Sequence, residues 1–253
     1  MWQIIIDSSW FNFFFAAVLF LSVGCGILYA KRYKKKSKWE SSGIENSVVG
    51  IFGLIISFTF LQAGNAHRER SANIHREANS INMLFQYSKA MPDSFFKFTK
   101  NTLVTFLNNQ ITYEQSNDEQ FFYNAKKISD SYWVYLIKYN EQTGNLNNAK
   151  QLDKITLCFD QIQTSVSLLA YSYYERTPSF IMFLLVIVSL LIGFLIGFMN
   201  GMKLNVHYLV PIIYFVMITL TMAVINDLNN PRIGLIKPSY HHLKMTYENI
   251  KNN

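Results

Sequence analysis

The stretch NSVVGIFGLIISFTFLQAGNAHRERSANIHREANSIN, residues 46–82, contains the pattern that decides the fold. It opens with 22 residues without a formal charge, which lie between Glu45 and Arg68. A helix needs about 20 apolar residues to cross the hydrocarbon core of a bilayer. The run therefore predicts a membrane span, and the charged residues that follow predict where the helix leaves the membrane.

Three further uncharged runs have the same property. They hold 23 residues after Asp7, 26 after Arg176 and 23 after Lys203. Half of the 253 residues are hydrophobic and 15% are charged, whereas soluble domains have about 25% charged residues. The chain is thus predicted to be a polytopic membrane protein with spans at residues 10–30, 47–64, 179–201 and 207–226.

The basic residues are concentrated in the loop after the first span. Six of them stand against Glu40 and Glu45, a balance of +4: Lys31, Arg32, Lys34, Lys35, Lys36 and Lys38. Because cytoplasmic loops collect lysine and arginine, we expect this loop inside, and the termini and middle segment on the outer, periplasm-like face of the membrane. The rest of the net charge of +7 is too scattered to indicate a nucleic-acid partner.

The middle segment reads as helical throughout. No proline occurs between the second span and Pro92, so one helix is predicted from about residue 46 to residue 90, on the order of 65 Å long. Apolar residues recur at helical spacing in it and in three later patterns between residues 96 and 169. The predicted fold is all-α, with four transmembrane helices and an extramembrane helical bundle.

This architecture divides the chain into four parts. Residues 1–64 hold the first two transmembrane helices and the basic cytoplasmic loop, and residues 65–178 form the helical bundle. Residues 179–226 hold transmembrane helices 3 and 4, and residues 227–253 form a C-terminal extramembrane segment.

Motifs for enzymatic chemistry are largely missing from the sequence. There is no HExxH, CxxC, Walker A or GxSxG pattern, and the five histidines lack ligand spacing. No Asp, Glu, Lys or Arg lies inside a span, although proton-coupled transporters usually need such groups at depth. We therefore expect no enzymatic activity, no cofactor and no metal site. The expected function is a passive pore or a structural role.

The second span carries a stripe of mostly small residues at helical spacing: Asn46, Gly50, Gly53, Ser57, Phe60 and Gly64. In a ring of subunits this stripe would line a narrow conduit, with Phe60 as a hydrophobic constriction. Small residues also allow helices to pack closely, and the sequence leaves both interpretations open. For the GxxxGxxxG pattern of the third span (Gly193, Gly197 and Gly201), we favour packing.

Three arginines follow the second span and are candidates for the pore mouth: Arg68, Arg70 and Arg76. Cations at a mouth would concentrate anions. The alternative is a solvated helix surface, on which these residues form weak pairs with neighbouring glutamates.

Four segments carry a family resemblance. They are GIFGLIISFTF (50–60), the triplet Glu77-Ala78-Asn79, Arg176-x-Pro178 and NDLNNPRIGLI (226–236). In this order they resemble the bacterial bestrophin-like domain family. Asn229 and Asn230 stand where that family usually has Asp and Arg, and the acidic calcium clasp of animal bestrophins is not recognisable.

The resemblance implies kinship with bestrophins, which are pentameric chloride channels whose second membrane helix lines the pore. If the chain is such a channel, we expect six residues of these segments to hold a structural collar together: Glu77, Asn79, Asp227, Pro231, Arg232 and Gly234. Bestrophins keep their bulk and termini in the cytosol, whereas the charge balance of this chain places them outside.

Two functional hypotheses follow. The first is a homo-oligomeric, anion-preferring channel, with the lipid bilayer, further copies of the chain and chloride-like anions as partners. The second is a non-conducting, membrane-anchored interaction or sensing protein that acts through the aromatic-rich bundle. The aromatic residues are equally well explained as the core of that bundle.

Overall fold

The computed structural model describes residues 10–34, 43–116, 120–143, 146–175, 177–203, 208–232 and 234–253. In these ranges the chain forms eight helices and no strand, which confirms the all-α prediction. The helices are α1 (Phe11–Lys34), α2 (Ile44–Ser88), α3 (Asp93–Ser116), α4 (Gln120–Thr143), α5 (Leu146–Tyr174), α6 (Ser179–Met202), α7 (Leu209–Asn229) and α8 (His241–Asn252).

Helix α2 is continuous over 45 residues, as the absence of proline predicted. At 1.5 Å per residue it is roughly 65 Å long, about twice the thickness of a hydrocarbon core. It ends where the Ser88 hydroxyl donates to the Phe85 carbonyl oxygen (2.7 Å) and a turn leads to Pro92. Asp93 in the first turn of α3 has a favourable sign for a helix N-terminus.

Four helical stretches are long and apolar enough to span a membrane; three coincide with α1, α2 and α7, and the fourth includes α6. The chain is therefore membrane-embedded. The basic loop that decides the predicted orientation falls mostly on residues 35–42, which lie outside the described residues.

The chain divides into two compact units. The first comprises residues 1–67 and 176–236, and the second comprises residues 68–175 and 237–253. The boundary at residues 67 and 68 falls inside α2, and the predicted C-terminal segment is shared between the units.

In the first unit, glycines bring α1 and α6 into close contact. A Cβ added at Gly197 would collide with the Val23 carbonyl, and one at Gly26 would collide with the Phe194 carbonyl. Gly193 and Gly201 are also buried against α1. The packing interpretation of the GxxxGxxxG pattern is confirmed.

In the second unit, α2 contributes Ile74, Ala78, Ile81 and Phe85 to the core, and each is at most 3% exposed. The other helices add aromatic residues, among which Phe95 and Tyr132 are buried. Phe98 and Trp133 remain about 40% exposed (41% and 39%). Most of the aromatic residues of the bundle that the structure describes thus belong to its core or its margin.

Candidate pore face and the segments around it

The predicted stripe lies on an open face of α2. Asn46, Gly50, Gly53 and Ser57 are exposed, Phe60 is 45% exposed and Gly64 is half-buried. The helix packs against the rest of the first unit through a different side, where Phe52, Thr59 and Ala63 are at most 3% exposed. The helical phase thus separates the stripe from the buried side.

The glycines of the α2 stripe and those of the GxxxGxxxG pattern in α6 have different surroundings. A Cβ added at Gly50, Gly53 or Gly64 would meet no heavy atom within 4 Å. The same atom at Gly197 would collide with backbone. Packing inside the protomer therefore explains the small residues of α6, but it does not explain those of α2.

The stripe presents few hydrogen-bond donors. Ser57 donates its hydroxyl proton to the Gly53 carbonyl oxygen at 2.8 Å. Because a serine hydroxyl has one proton, this bond leaves its oxygen lone pairs for any further partner. A solute moving along Gly50, Gly53 and Phe60 would therefore meet an almost wholly apolar surface.

Asn46 at the start of the stripe also borders a cavity of about 510 Å³ within the first unit. The cavity is lined by α2, α6 and the start of α7, with Lys203 and Asn200 among its polar residues. Asn46 therefore adjoins both the open face and this cavity, at the end of α2 where the chain enters the span.

The three candidate mouth arginines do not share one environment. Arg68 and Arg76 are exposed, and Arg76 donates to the Asn73 side-chain oxygen at 3.1 Å. Arg70 is fully buried in the second unit, so the prediction that it is a mouth cation is wrong. Its guanidinium donates to the carbonyl oxygens of Ser172 (2.9 Å) and Glu175 (3.1 Å).

These bonds give Arg70 a structural task. The last carbonyls of a helix have no partner in the helix itself and carry a partial negative charge. Arg70 supplies both donors and positive charge to the end of α5. Its position on the face of Ile74 and Ile81, four and eleven residues later, was the signal in the sequence that it points inward.

Arg70→Met is expected to destabilise the second unit by about 3 kcal/mol, because it leaves buried carbonyl oxygens without a charged donor. Arg68→Met, an exposed neighbour on the same helix, should change stability by less than about 0.5 kcal/mol. Thermal unfolding of the purified variants in detergent measures both. Equal midpoints for the two variants would show that the Arg70 bonds to α5 do not matter for stability.

The predicted collar residues divide between the two units. In the second unit Glu77 is fully buried, and its Oε1 accepts a hydrogen bond of 2.6 Å from Gln110. Its Oε2 is buried and has no hydrogen-bond partner in the part of the chain that the structure describes. Burial raises the pKa of Glu77 to about 8, because a low-dielectric interior disfavours the charged carboxylate. Asn79, two residues later, is exposed.

In the first unit the collar residues form a tight turn after α7. Both oxygens of Asp227 accept backbone N–H groups, from Leu235 and from Ile236, each at 2.7 Å. The carboxylate near a helix C-terminus, unfavourable against the helix dipole unless it is paired, thus has backbone partners. Pro231 is buried, whereas Arg232 and Gly234 are half-buried.

Asn229 and Asn230, which stand where the resembling family usually has Asp and Arg, are buried in the same region. Asn229 accepts hydrogen bonds from the backbone N–H of Thr177 (3.2 Å) and from its hydroxyl (2.9 Å). Asn230 donates to the carbonyl oxygen of Asn226 at 3.0 Å. The Asn229 amide connects the end of α7 to the segment that enters α6, whereas the Asn230 amide bonds back to the last turns of α7, so both side chains are structural.

Two histidines also come together in a way that the sequence did not indicate. The rings of His75 on α2 and His242 on α8 pack edge to face, with centroids 4.3 Å apart. Within the described residues no group of three His, Cys, Asp or Glu side chains is placed to hold a metal ion.

Comparison with known proteins gives one match. The family model described as the bestrophin-like domain matches residues 42–237, which include α2 to α7 and the turn after α7. No match was found among curated proteins or among solved structures. The matched range contains the stripe, the buried Glu77 and the Asp227 turn, and it covers more than three quarters of the chain. This chain therefore belongs to the bestrophin-like domain family.

Proposed function

We propose that the chain is the subunit of a homo-oligomeric, anion-preferring ion channel with no enzymatic activity. The open face of α2 lines its conduit. The observation that carries the proposal is that the glycines of this face have no packing partner among the described residues of the protomer, whereas those of α6 are packed against α1. An apolar helix face without bulky side chains is suited to a narrow conduit.

The family supports the same assignment. Its name marks kinship with bestrophins, in which the second membrane helix lines the pore, and five subunits would therefore surround the conduit. The exposed Arg68 and Arg76 follow the apolar part of α2 and would raise the local anion concentration. We place the channel in a bacterial inner membrane, with the orientation that the charge balance of the loops favours.

Phe60 is the residue we assign to the constriction. It is the only large side chain of the stripe, and its ring is 45% exposed. A hydrophobic ring of such side chains would hold back ions by disfavouring water in the narrowest part of the conduit. Ser57 and the glycines would set the width on either side of it.

Phe60→Ala is expected to increase halide flux severalfold in liposomes that contain purified protein, because it widens and wets the constriction. Phe58→Ala is the matched control. Phe58 is 65% exposed on the same helix, but two residues turn it about 200° away from Phe60. We expect the control variant to conduct like the wild type.

Each result of this experiment has a distinct meaning. Equal flux in the Phe60 variant and the wild type would remove Phe60 as the constriction. An increase in the Phe58 variant alone would place the conduit on the other side of α2. No flux from any variant, in a preparation verified as a folded oligomer, would favour the non-conducting interaction protein.

A further inference from the structure

The turn after α7 carries an apolar side chain that is almost fully exposed in the protomer. Leu235 is 96% exposed, and Ile236 beside it is 38% exposed. Single exposed leucines are ordinary on protein surfaces. This one differs because the backbone that carries it is held at several points.

Three contacts hold the turn. The Asp227 carboxylate accepts the backbone N–H groups of Leu235 and Ile236, and the Gly234 N–H donates to the Asn230 carbonyl oxygen at 2.7 Å. A Cβ added at Gly234 would lie 2.6 Å from the Asp227 carbonyl oxygen, so a larger residue does not fit there. The structure thus presents Leu235 on a constrained backbone.

The same hydrogen bonds fix the position of Leu235 relative to the end of the membrane span. Asp227 is the first charged residue after 23 uncharged ones, and it lies in the last turn of α7. Because the Leu235 backbone N–H is hydrogen-bonded to the Asp227 carboxylate, Leu235 lies within about one helical turn of the end of the membrane span. That is where the hydrocarbon core meets the headgroups.

Two features of the surroundings indicate what covers this side chain. The apolar residues Met217 and Leu220 on α7, both 61% exposed, belong to a helix that spans the membrane, and the turn continues from it. An exposed cation, Lys237, directly follows Ile236 in the sequence. Anionic headgroups complement such a cation, and interfacial segments combine this attraction with apolar insertion.

We propose that residues 234–236 form an interfacial membrane anchor in which Leu235 inserts between acyl chains at the bilayer boundary. Asp227 is the positioning residue that keeps the turn in its inserting conformation. The anchor goes beyond the proposed channel, since it depends only on the chain being embedded in a membrane.

The test is a nitroxide spin label at Leu235→Cys, in a Cys25→Ser background. Cys158 is buried, which limits its labelling. The protein is reconstituted in vesicles of phosphatidylcholine with phosphatidylglycerol. Leu220→Cys on α7 is the lipid-facing control and the exposed Asn249→Cys on α8 is the aqueous control. Oxygen, which partitions into lipid, and a water-soluble nickel chelate serve as collision reagents.

We expect the oxygen-to-nickel collision ratio at position 235 to exceed that at position 249 severalfold, and to fall when phosphatidylglycerol is omitted. A ratio equal to that at position 249 would overturn the anchor. A second result would also overturn the anchor: protection from both reagents, together with spin–spin broadening that disappears when unlabelled protein is added. That result would place Leu235 against a second copy of the chain.

Adding Asp227→Asn to the labelled variant tests the positioning step. We expect a more mobile spectrum and a lower oxygen-to-nickel ratio, because the neutral amide accepts only one of the two backbone bonds well. An unchanged spectrum would show that Asp227 does not hold the turn. Because Leu235 makes so little contact, the single labelled variant should unfold at the same temperature as the unlabelled protein.

Discussion

Gly197→Ala is expected to lower the thermal midpoint of the protein by roughly 10 °C, the largest loss of stability that we predict for a single added methyl group. The new Cβ would collide with the backbone carbonyl of Val23 on α1. Backbone cannot rotate out of the way as a side chain can, so α1 and α6 must separate. Overpacking of this kind costs about 3 kcal/mol, which corresponds to about 6–12 °C in a chain of this length.

Gly24→Ala on the facing helix is the control for this change. A Cβ at Gly24 would meet nothing within 4 Å. Alanine is also a better helix former than glycine by up to about 1 kcal/mol, so this variant should be as stable as the wild type or slightly more stable. Thermal unfolding in detergent measures both variants. A Gly197 variant that unfolds with the wild type would show that the two helices do not approach each other so closely.

Glu77→Gln is expected to remove a strong pH dependence of stability from the second unit. The folded protein holds the pKa of Glu77 at about 8, well above the ordinary value of 4.5. Between these two values the folded state binds a proton that the unfolded state has lost, so the free energy of unfolding falls as pH rises. The favourable contribution is fully present below pH 4.5 and is lost by about pH 8.

The size of this effect follows from the shift. Each pKa unit corresponds to about 1.4 kcal/mol, so the wild type should lose on the order of 5 kcal/mol across this window through Glu77. Glutamine has no proton to lose and retains a side chain of the same shape. The Glu77 variant should therefore be more stable than the wild type at pH 8, and similar to it at pH 4.5.

Unfolding midpoints of the wild type and the variant between pH 4.5 and pH 8.5 measure this difference. Glu69→Gln, an exposed glutamate eight residues earlier on α2, is the control and should leave the pH profile unchanged. Parallel profiles for the wild type and the Glu77 variant would show that Glu77 is charged in the folded protein at neutral pH.

The sequence predicted the elements of this fold because the signals are local. The four uncharged runs set the membrane helices, and the lack of proline before Pro92 set the length of α2. The spacing of Ile74 and Ile81 set which side of α2 enters the bundle core. The glycines of α6 were correctly assigned to packing from their repeat alone.

The candidate site was predicted less completely. Helical phase placed the small-residue stripe on one face of α2, but it could not say that this face would be open in the protomer. The shared face of Arg70, Ile74 and Ile81 indicates that Arg70 points inward. Only the fold shows what receives it, because its partners at the end of α5 are about 100 residues away in sequence.

What the sequence by itself determined is therefore the membrane class, the helices, the family and the position of the stripe. These depend on composition and on spacings within one helix, which the order of residues contains directly. The tertiary structure decided which cation is buried, which carboxyl group gains a raised pKa and which backbone amides Asp227 accepts. These depend on desolvation and hydrogen bonds between separate segments, and such contacts exist only once the helices have packed.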